Sequence, residues 1–210
     1  MPFVGDVEAI WGVHIMNKIF ADIFSRQPDE IIEGDYLYHI QWFDDLIVLL
    51  EKIEPPEIKE RRDFNKKHFK ANFKNSWENR TLGNPGYSEY WTWLKSNDLK
   101  ETMEKITLEN IPFMDIASSN GLGLASYIIK MNPKIPCLIT DLNAEDNKLL
   151  RSCIEEYLPD YNISIAFFNN CEMPIKDNSL DCITSIHGIT SSNGELKSWP
   201  YPHIRKFHRM

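Results

Sequence analysis

The feature that most constrains this chain is a change of texture after Asn110. From there, short apolar runs at residues 111–116, 135–140, 163–168 and 182–186 alternate with helical periodicity at 122–131 and 144–157. Strands buried on both faces read as continuous apolar runs, and such runs separated by amphipathic helices form βαβ units around a parallel sheet. Residues 109–210 are therefore expected to be an α/β unit. In its second helix Asn143 is placed to cap the N-terminus, and Glu145 and Asp146 suit the positive end of the helix dipole. Leu149, Leu150, Cys153, Ile154 and Tyr157 share one face.

Residues 1–108 read as mostly helical. Over 7–24, Trp11, Ile15, Ile19 and Ile23 recur at every fourth position, and Ile10, Phe20 and Phe24 widen the stripe. A second helix is expected over 36–52, stopping before Pro55-Pro56. A third, over 57–78, carries Lys59, Arg61, Arg62, Lys66, Lys67, Lys70 and Lys74 with Phe64, Phe69, Phe73 and Trp77 interleaved. Its plain reading is an amphipathic helix with a solvated basic face. Asn84-Pro85-Gly86 signals a turn, followed by an aromatic cluster at 87–94 and a helical piece at 99–106.

Composition narrows the function classes. A net charge of −8 argues against a general polyanion binder, because nonspecific nucleic-acid affinity comes from Lys and Arg displacing counterions. RNA is left with the local basic stretch at 59–74 alone. Cys137, Cys153, Cys171 and Cys182 contain no C-x-x-C pair and fit neither a zinc site nor a disulfide framework. Reduced thiols in the cytoplasm and no metal are expected. No charged-then-apolar leader opens the chain, and the apolar run at 46–50 is too short to span a bilayer, so neither secretion nor a membrane partner is expected.

Three segments carry the chemistry. In Phe113-Met114-Asp115-Ile116-Ala117-Ser118-Ser119-Asn120-Gly121-Leu122-Gly123, a strand ends in a carboxylate, passes through a loop of small residues and opens a helix. Such a loop lets backbone approach a ligand closely. Asp141 closes the second strand 20 residues after Gly121, where an acid accepts hydrogen bonds from ribose hydroxyls. After the third strand, Asn169-Asn170-Cys171 leads into Pro174-Ile175-Lys176-Asp177-Asn178-Ser179-Leu180-Asp181.

Together, over roughly residues 109–192, these segments resemble the class I S-adenosylmethionine-dependent methyltransferases. That family shows an acidic, glycine-rich first loop, an acid ending strand two, and a polar loop before a Pro-x-x-Asp-x-Ser-x-Asp run. The resemblance implies a doubly wound, mostly parallel Rossmann-like sheet with a helical N-terminal extension, and S-adenosylmethionine as cofactor with S-adenosylhomocysteine as product. It implies that Asp115 and the loop Ala117, Ser118, Ser119, Asn120 and Gly121 hold the methionine end of the donor. Asp141 would grip the ribose, and Leu142, Asn169, Asn170 and Cys171 would border the adenine. His187, after strand four, would face the donor as a general base for a hydroxyl or amine acceptor. Tyr87, Tyr90 and Trp91, with Trp93, would contribute to an acceptor-side lid, and the acceptor expected for so acidic a chain is a small molecule.

The sequence departs from the family pattern in two ways. Ala117 and Ser119 stand where glycines are usual, which puts close approach of the donor in doubt. The family sheet also continues for three more strands, whereas this sequence stops about two dozen residues after Ile186. A shortened chain, a homo-oligomer covering the open sheet edge and an unstable fold all follow as readings. Two rival functions remain. One is a noncatalytic relative acting as an association module. The other is a nicotinamide-dependent oxidoreductase suggested by Gly121-x-Gly123 and Asp141, opposed by the six-residue step from Asp115 to Gly121 and by Ser126 at the third glycine position.

Overall fold

The computed structural model describes residues 15–79, 97–118, 122–142, 147–170 and 172–185. In chain order the elements are α1 (Lys18–Ala21), β1 (Glu30–Ile32), β2 (Asp35–Leu37), α2 (Gln41–Ile53), α3 (Pro56–Lys67), α4 (Phe69–Asn79) and α5 (Asn97–Leu108). They continue with β3 (Phe113–Ile116), α6 (Ala125–Met131), β4 (Cys137–Asp141), α7 (Asn147–Tyr157), β5 (Ile163–Phe167) and β6 (Cys182–Ser185). One six-stranded sheet runs in the order β1-β2-β5-β4-β3-β6, and all its pairs are parallel except β1 with β2. The fold is α/β, as the alternation after Asn110 predicts, and the four expected strands are found within two residues of their predicted limits.

Side-chain alternation along the strands divides the interior into two layers. Phe113, Cys137, Ile139, Ile163, Ile165 and Phe167 face the layer formed by Phe73 of α4, Ile106 of α5, Ile128 of α6 and Ile154 of α7. Met114, Ile116, Leu138, Ala166 and Phe168 face the other, where Met16, Phe20 and Phe24 meet Met173, Ile175 and Leu180. Each large apolar side chain removed from water contributes about 1.5–3 kcal/mol, so both layers are needed to hold so short a set of strands. The helical layer is laced from outside. Lys70 of α4 donates to Glu156 of α7 at 2.8 Å, and Lys130 of α6 donates to the Trp77 carbonyl while lying 4.6 Å from that ring's centroid.

Three expectations for the first hundred residues need correction. The expected stripe forms the buried face only in part: Ile15 and Ile19 are 63% and 45% exposed, while Ile23, Phe20 and Phe24 are buried as expected, together with Met16. Among residues 15–24 helix is confined to the turn Lys18–Ala21, capped by Asn17, because Ser25 then donates to Pro174 and the chain straightens against Ile175. Residues 1–14 lie outside the described residues.

Tyr36 and Leu37 belong to β2 and not to the start of a helix; α2 begins at Gln41. Glu33 and Gly34 both have positive φ, 53° and 88°, which makes the two-residue turn that matches the twist of a β-hairpin. The basic stretch is two helices and not one, broken at His68 (φ −99°, ψ 5°). The turn at 84–86 and the aromatic cluster at 87–94 lie outside the described residues. No helix among the described residues is long and apolar enough to cross a membrane.

Hairpin β1–β2 matters beyond its size. Tyr36 pairs with Ala166 and Leu37 with Phe167, so residues from the N-terminal side of position 109 complete the sheet built by residues from its other side. At the base of this pairing Asp35 and Arg151 of α7 form an ion pair, each 1% exposed.

Candidate functional site

Strand registers bring three of the segments to one edge. Ile116 lies opposite Thr140 and Ser185, and Asp141 lies opposite Phe167. Ala117-Ser118, Asp141-Leu142 and Asn169-Asn170 therefore leave the sheet at the carboxyl ends of three neighbouring strands. The chain steps from β3 to β4 to β5 in one direction and then returns to place β6 on the other side of β3. Sheets of this kind bind ligands in the crevice outside such a reversal.

The end of β3 is tied down from all sides. Ser118 donates its N–H to Thr140 O at 3.0 Å and its hydroxyl to Asp115 O at 2.9 Å, and Thr140 Oγ1 donates to the same carbonyl. From the opposite strand Ser185 Oγ donates to Ile116 O at 3.1 Å. Asp115 is fully buried; Thr184 donates its hydroxyl to Oδ1, and a Cβ on Gly123 would overlap Oδ2. The carboxylate thus sits against the backbone of Gly123.

Burial first, then the neighbouring Asp115 charge, push the Cys182 thiol up to about 11, and the same two causes raise Cys137 well above the ordinary range. Burial also raises Cys153 to about 11. At pH 8 a thiol with such a pKa is about one part in a thousand thiolate. Iodoacetamide at pH 8 is therefore expected to modify Cys153 and Cys182 at least about tenfold more slowly than free cysteine, read by mass spectrometry of the intact and digested protein.

Ala117 has φ 52°. It stands where the resembling family has glycine, and its backbone takes the left-handed conformation that glycine adopts without strain. A Cβ there costs about 1–2 kcal/mol, offset in part by the smaller entropy of the unfolded alanine chain. Ala117→Gly is expected to stabilise the fold by about 0.5–1 kcal/mol, read as a rise in urea midpoint at unchanged slope.

Asp141 is half-buried, and its Oδ1 accepts the Leu142 N–H at 2.6 Å, which holds the carboxyl at the strand's end. Asp141 O accepts from the Phe168 N–H, so the strand-two acid and the strand-three loop are joined directly. Asn169 and Asn170 are half-buried, and Asn170 Oδ1 is a buried oxygen with no hydrogen-bond partner among the described residues.

Sequence reasoning missed the groups that β2 adds next to this edge. Tyr38 donates its N–H to Phe167 O and its hydroxyl to Arg26 O at 3.3 Å, and the Arg26 guanidinium lies 4.7 Å from the Tyr38 ring centroid. Burial raises the Tyr38 phenol well above its usual range. Arg26 and the His39 N–H both donate to Asp29, and the Arg26 bond holds that carboxyl below the usual carboxylate range. Ile31-Ile32-Glu33-Gly34-Asp35-Tyr36-Leu37-Tyr38 contained the signal, an alternating β-rich run on each side of an acid-glycine turn.

Ser119, Asn120, Gly121, Cys171, His187, Tyr87, Tyr90 and Trp91 lie outside the described residues. Among the described residues no group of three His, Cys, Asp or Glu side chains is arranged to hold a metal ion. Comparison with protein families, with curated proteins and with solved structures gives no match to this chain.

Proposed function

We propose that this chain is a cytoplasmic S-adenosylmethionine-dependent methyltransferase with a small-molecule acceptor, built on a doubly wound Rossmann-like sheet with a helical N-terminal extension. The observation that carries the reading is the common edge: β3, β4 and β5, adjacent and parallel, end in Asp115 to Ser118, in Asp141-Leu142 and in Asn169-Asn170, beside the reversal at β6. An adenosyl group needs a close backbone approach, an acid for its ribose and amide groups for its base, and that edge offers all three.

The residues fit the donor. Ala117 already follows the backbone path of a glycine where the loop leaves β3. The buried Asn170 Oδ1 is an acceptor suited to an exocyclic amine. In this reading Asp115 acts indirectly, against Ser118 and Gly123, while Ser118, Ser119, Asn120 and Gly121 border the methionine end. Asp141 accepts from the ribose hydroxyls, and Leu142 and Cys171 flank the base. The donor supplies an electrophilic methyl on a sulfonium, so the protein's task is alignment and exclusion of water and no protein nucleophile is needed. His187, which follows β6, would take the proton of a hydroxyl or ammonium acceptor, and Tyr87, Tyr90 and Trp91 would cover it.

Titration calorimetry with S-adenosylhomocysteine tests the reading. Binding is expected for the wild type, weaker by roughly 10- to 100-fold in Asp141→Ala, because two hydrogen bonds to a charged acceptor are lost. Silence in the wild type points to the noncatalytic alternative. Among the described residues β6 is an edge strand, and its half-exposed residues are the surface a homo-oligomer would cover.

A further inference from the structure

The loop after β5 is gripped at both ends by one residue of the N-terminal segment. Phe24 forms an antiparallel bridge with Ile175, flanked by two backbone bonds, Ser25 N–H to Pro174 O at 2.8 Å and Lys176 N–H to Ile23 O at 2.9 Å. Lys176 Nζ reaches further along the same segment to Asp22 O at 2.6 Å. On the other side of the loop, the Phe24 ring meets Phe168 edge-on with centroids 6.4 Å apart, and it stacks on Tyr38 at 5.3 Å. Tyr38 in turn meets Phe168 edge-on at 6.2 Å and donates its N–H to Phe167 O. Phe168 and Ile175 are the two stems between which Asn169, Asn170, Glu172 and Met173 lie, and Phe24 meets both.

The grip has the properties of a positioning device. Phe24, Tyr38, Phe168, Met173 and Ile175 are all buried in one cluster, so no stem can shift without opening a packed interior. Between the stems, Glu172 N–H donates to Asn169 O at 2.9 Å, a turn whose geometry depends on how far apart the stems are held. The segment ahead of Phe24 is itself anchored to β5 at its far end. Asn17 takes its own N–H to Ser164 Oγ and its amide to Asn162 Oδ1, each at 3.0 Å.

We infer that Phe24 is a positioning residue for the nucleoside end of the site: by bridging Ile175 and packing on Phe168 it sets the separation of the two stems, and so the placement of Asn169 and Asn170. The ligand side of this inference rests on the methyl-donor reading above; the grip itself does not. Thermodynamic linkage makes the effect reciprocal, so a ligand held by Asn169 and Asn170 tightens docking of the segment that carries Phe24.

Amide hydrogen exchange and calorimetry on the full chain test both parts, using Phe24→Ala, the milder Phe24→Leu if the first does not fold, and Phe20→Leu as a control. Phe20 is fully buried in the same cluster one turn earlier, so its replacement lowers stability without touching the bridge. At a temperature where all variants are folded, protection of the Glu172 amide is expected to fall about tenfold or more in the Phe24 variants and to stay near wild type in Phe20→Leu. Affinity for S-adenosylhomocysteine is expected to fall about tenfold in the same pattern. Equal Glu172 protection in all variants, or equal loss in the Phe20 control, overturns the inference. A wild type that binds no S-adenosylhomocysteine overturns the methyl-donor reading instead, and the exchange contrast then decides the grip alone.

Discussion

Arg151→Met is expected to lower the unfolding free energy by about 3–5 kcal/mol, and Asp35→Leu by a similar amount, among the largest losses any single substitution here produces. Arg151 donates from Nε to Asp35 Oδ2 at 3.1 Å and from a terminal nitrogen to Asp35 Oδ1, and both side chains are 1% exposed. Removing either partner strands a full charge in the interior, where the remaining group has lost its water and its counterion. The double variant Asp35→Leu/Arg151→Met is expected to return to within about 1 kcal/mol of wild type or above it, because a pair of apolar groups carries no desolvation cost. Urea unfolding of the four proteins gives the cycle. Single variants that lose less than about 1 kcal/mol each sink the idea that this pair seats the hairpin against α7.

Gly123→Ala is expected to cost about 2–4 kcal/mol and to abolish binding of S-adenosylhomocysteine. Its φ of 46° already lies where a Cβ is strained, and that Cβ would overlap Asp115 Oδ2. Neither group has room to yield: Asp115 is held by Thr184 from β6, and Leu122 beside Gly123 is fully buried. Adding Asp115→Ala removes the overlapping oxygen, so the double variant is expected to be less destabilised than the sum of the two singles, by about 1 kcal/mol or more. Thermal melting measures the coupling. Strict additivity would show that the carboxylate does not press on the loop.

The parallel core was legible because its strands are buried on both faces and spell themselves as apolar runs, as in Ile163-Ser164-Ile165-Ala166-Phe167. The hairpin was written just as openly in Glu33-Gly34, but Tyr36, Trp42, Phe43 and Leu46 also fit a helical spacing, and the longer pattern outweighed the shorter one. Ile15 and Ile19 misled for a related reason. A period of four describes a helix face, yet a segment strapped along a sheet buries whichever residues its anchors turn inward, here Phe20, Ile23 and Phe24, which the stripe included, and Met16, which it did not.

Nothing in the spelling marks Asp35 and Arg151 as partners, since the pair forms only when β2 docks beside β5. At the candidate site, Asp115, Asp141 and Asn169 were found by spacing along strands that end together. Arg26, Asp29 and Tyr38 were not, because they flank a hairpin, Glu30–Ile32 with Asp35–Leu37, that the sequence reading did not include.

The seat of β2 also fixes an order of events in synthesis. Tyr36 pairs with Ala166 and Leu37 with Phe167, in each case 130 residues later (166 − 36 and 167 − 37). At about 5–20 residues per second a nascent hairpin waits on the order of ten seconds for its partner strand. Through that interval its outer hydrogen-bonding groups are open to any other extended chain. Glu30, Glu33 and Asp35 give the waiting hairpin a concentrated negative charge that repels like copies of itself.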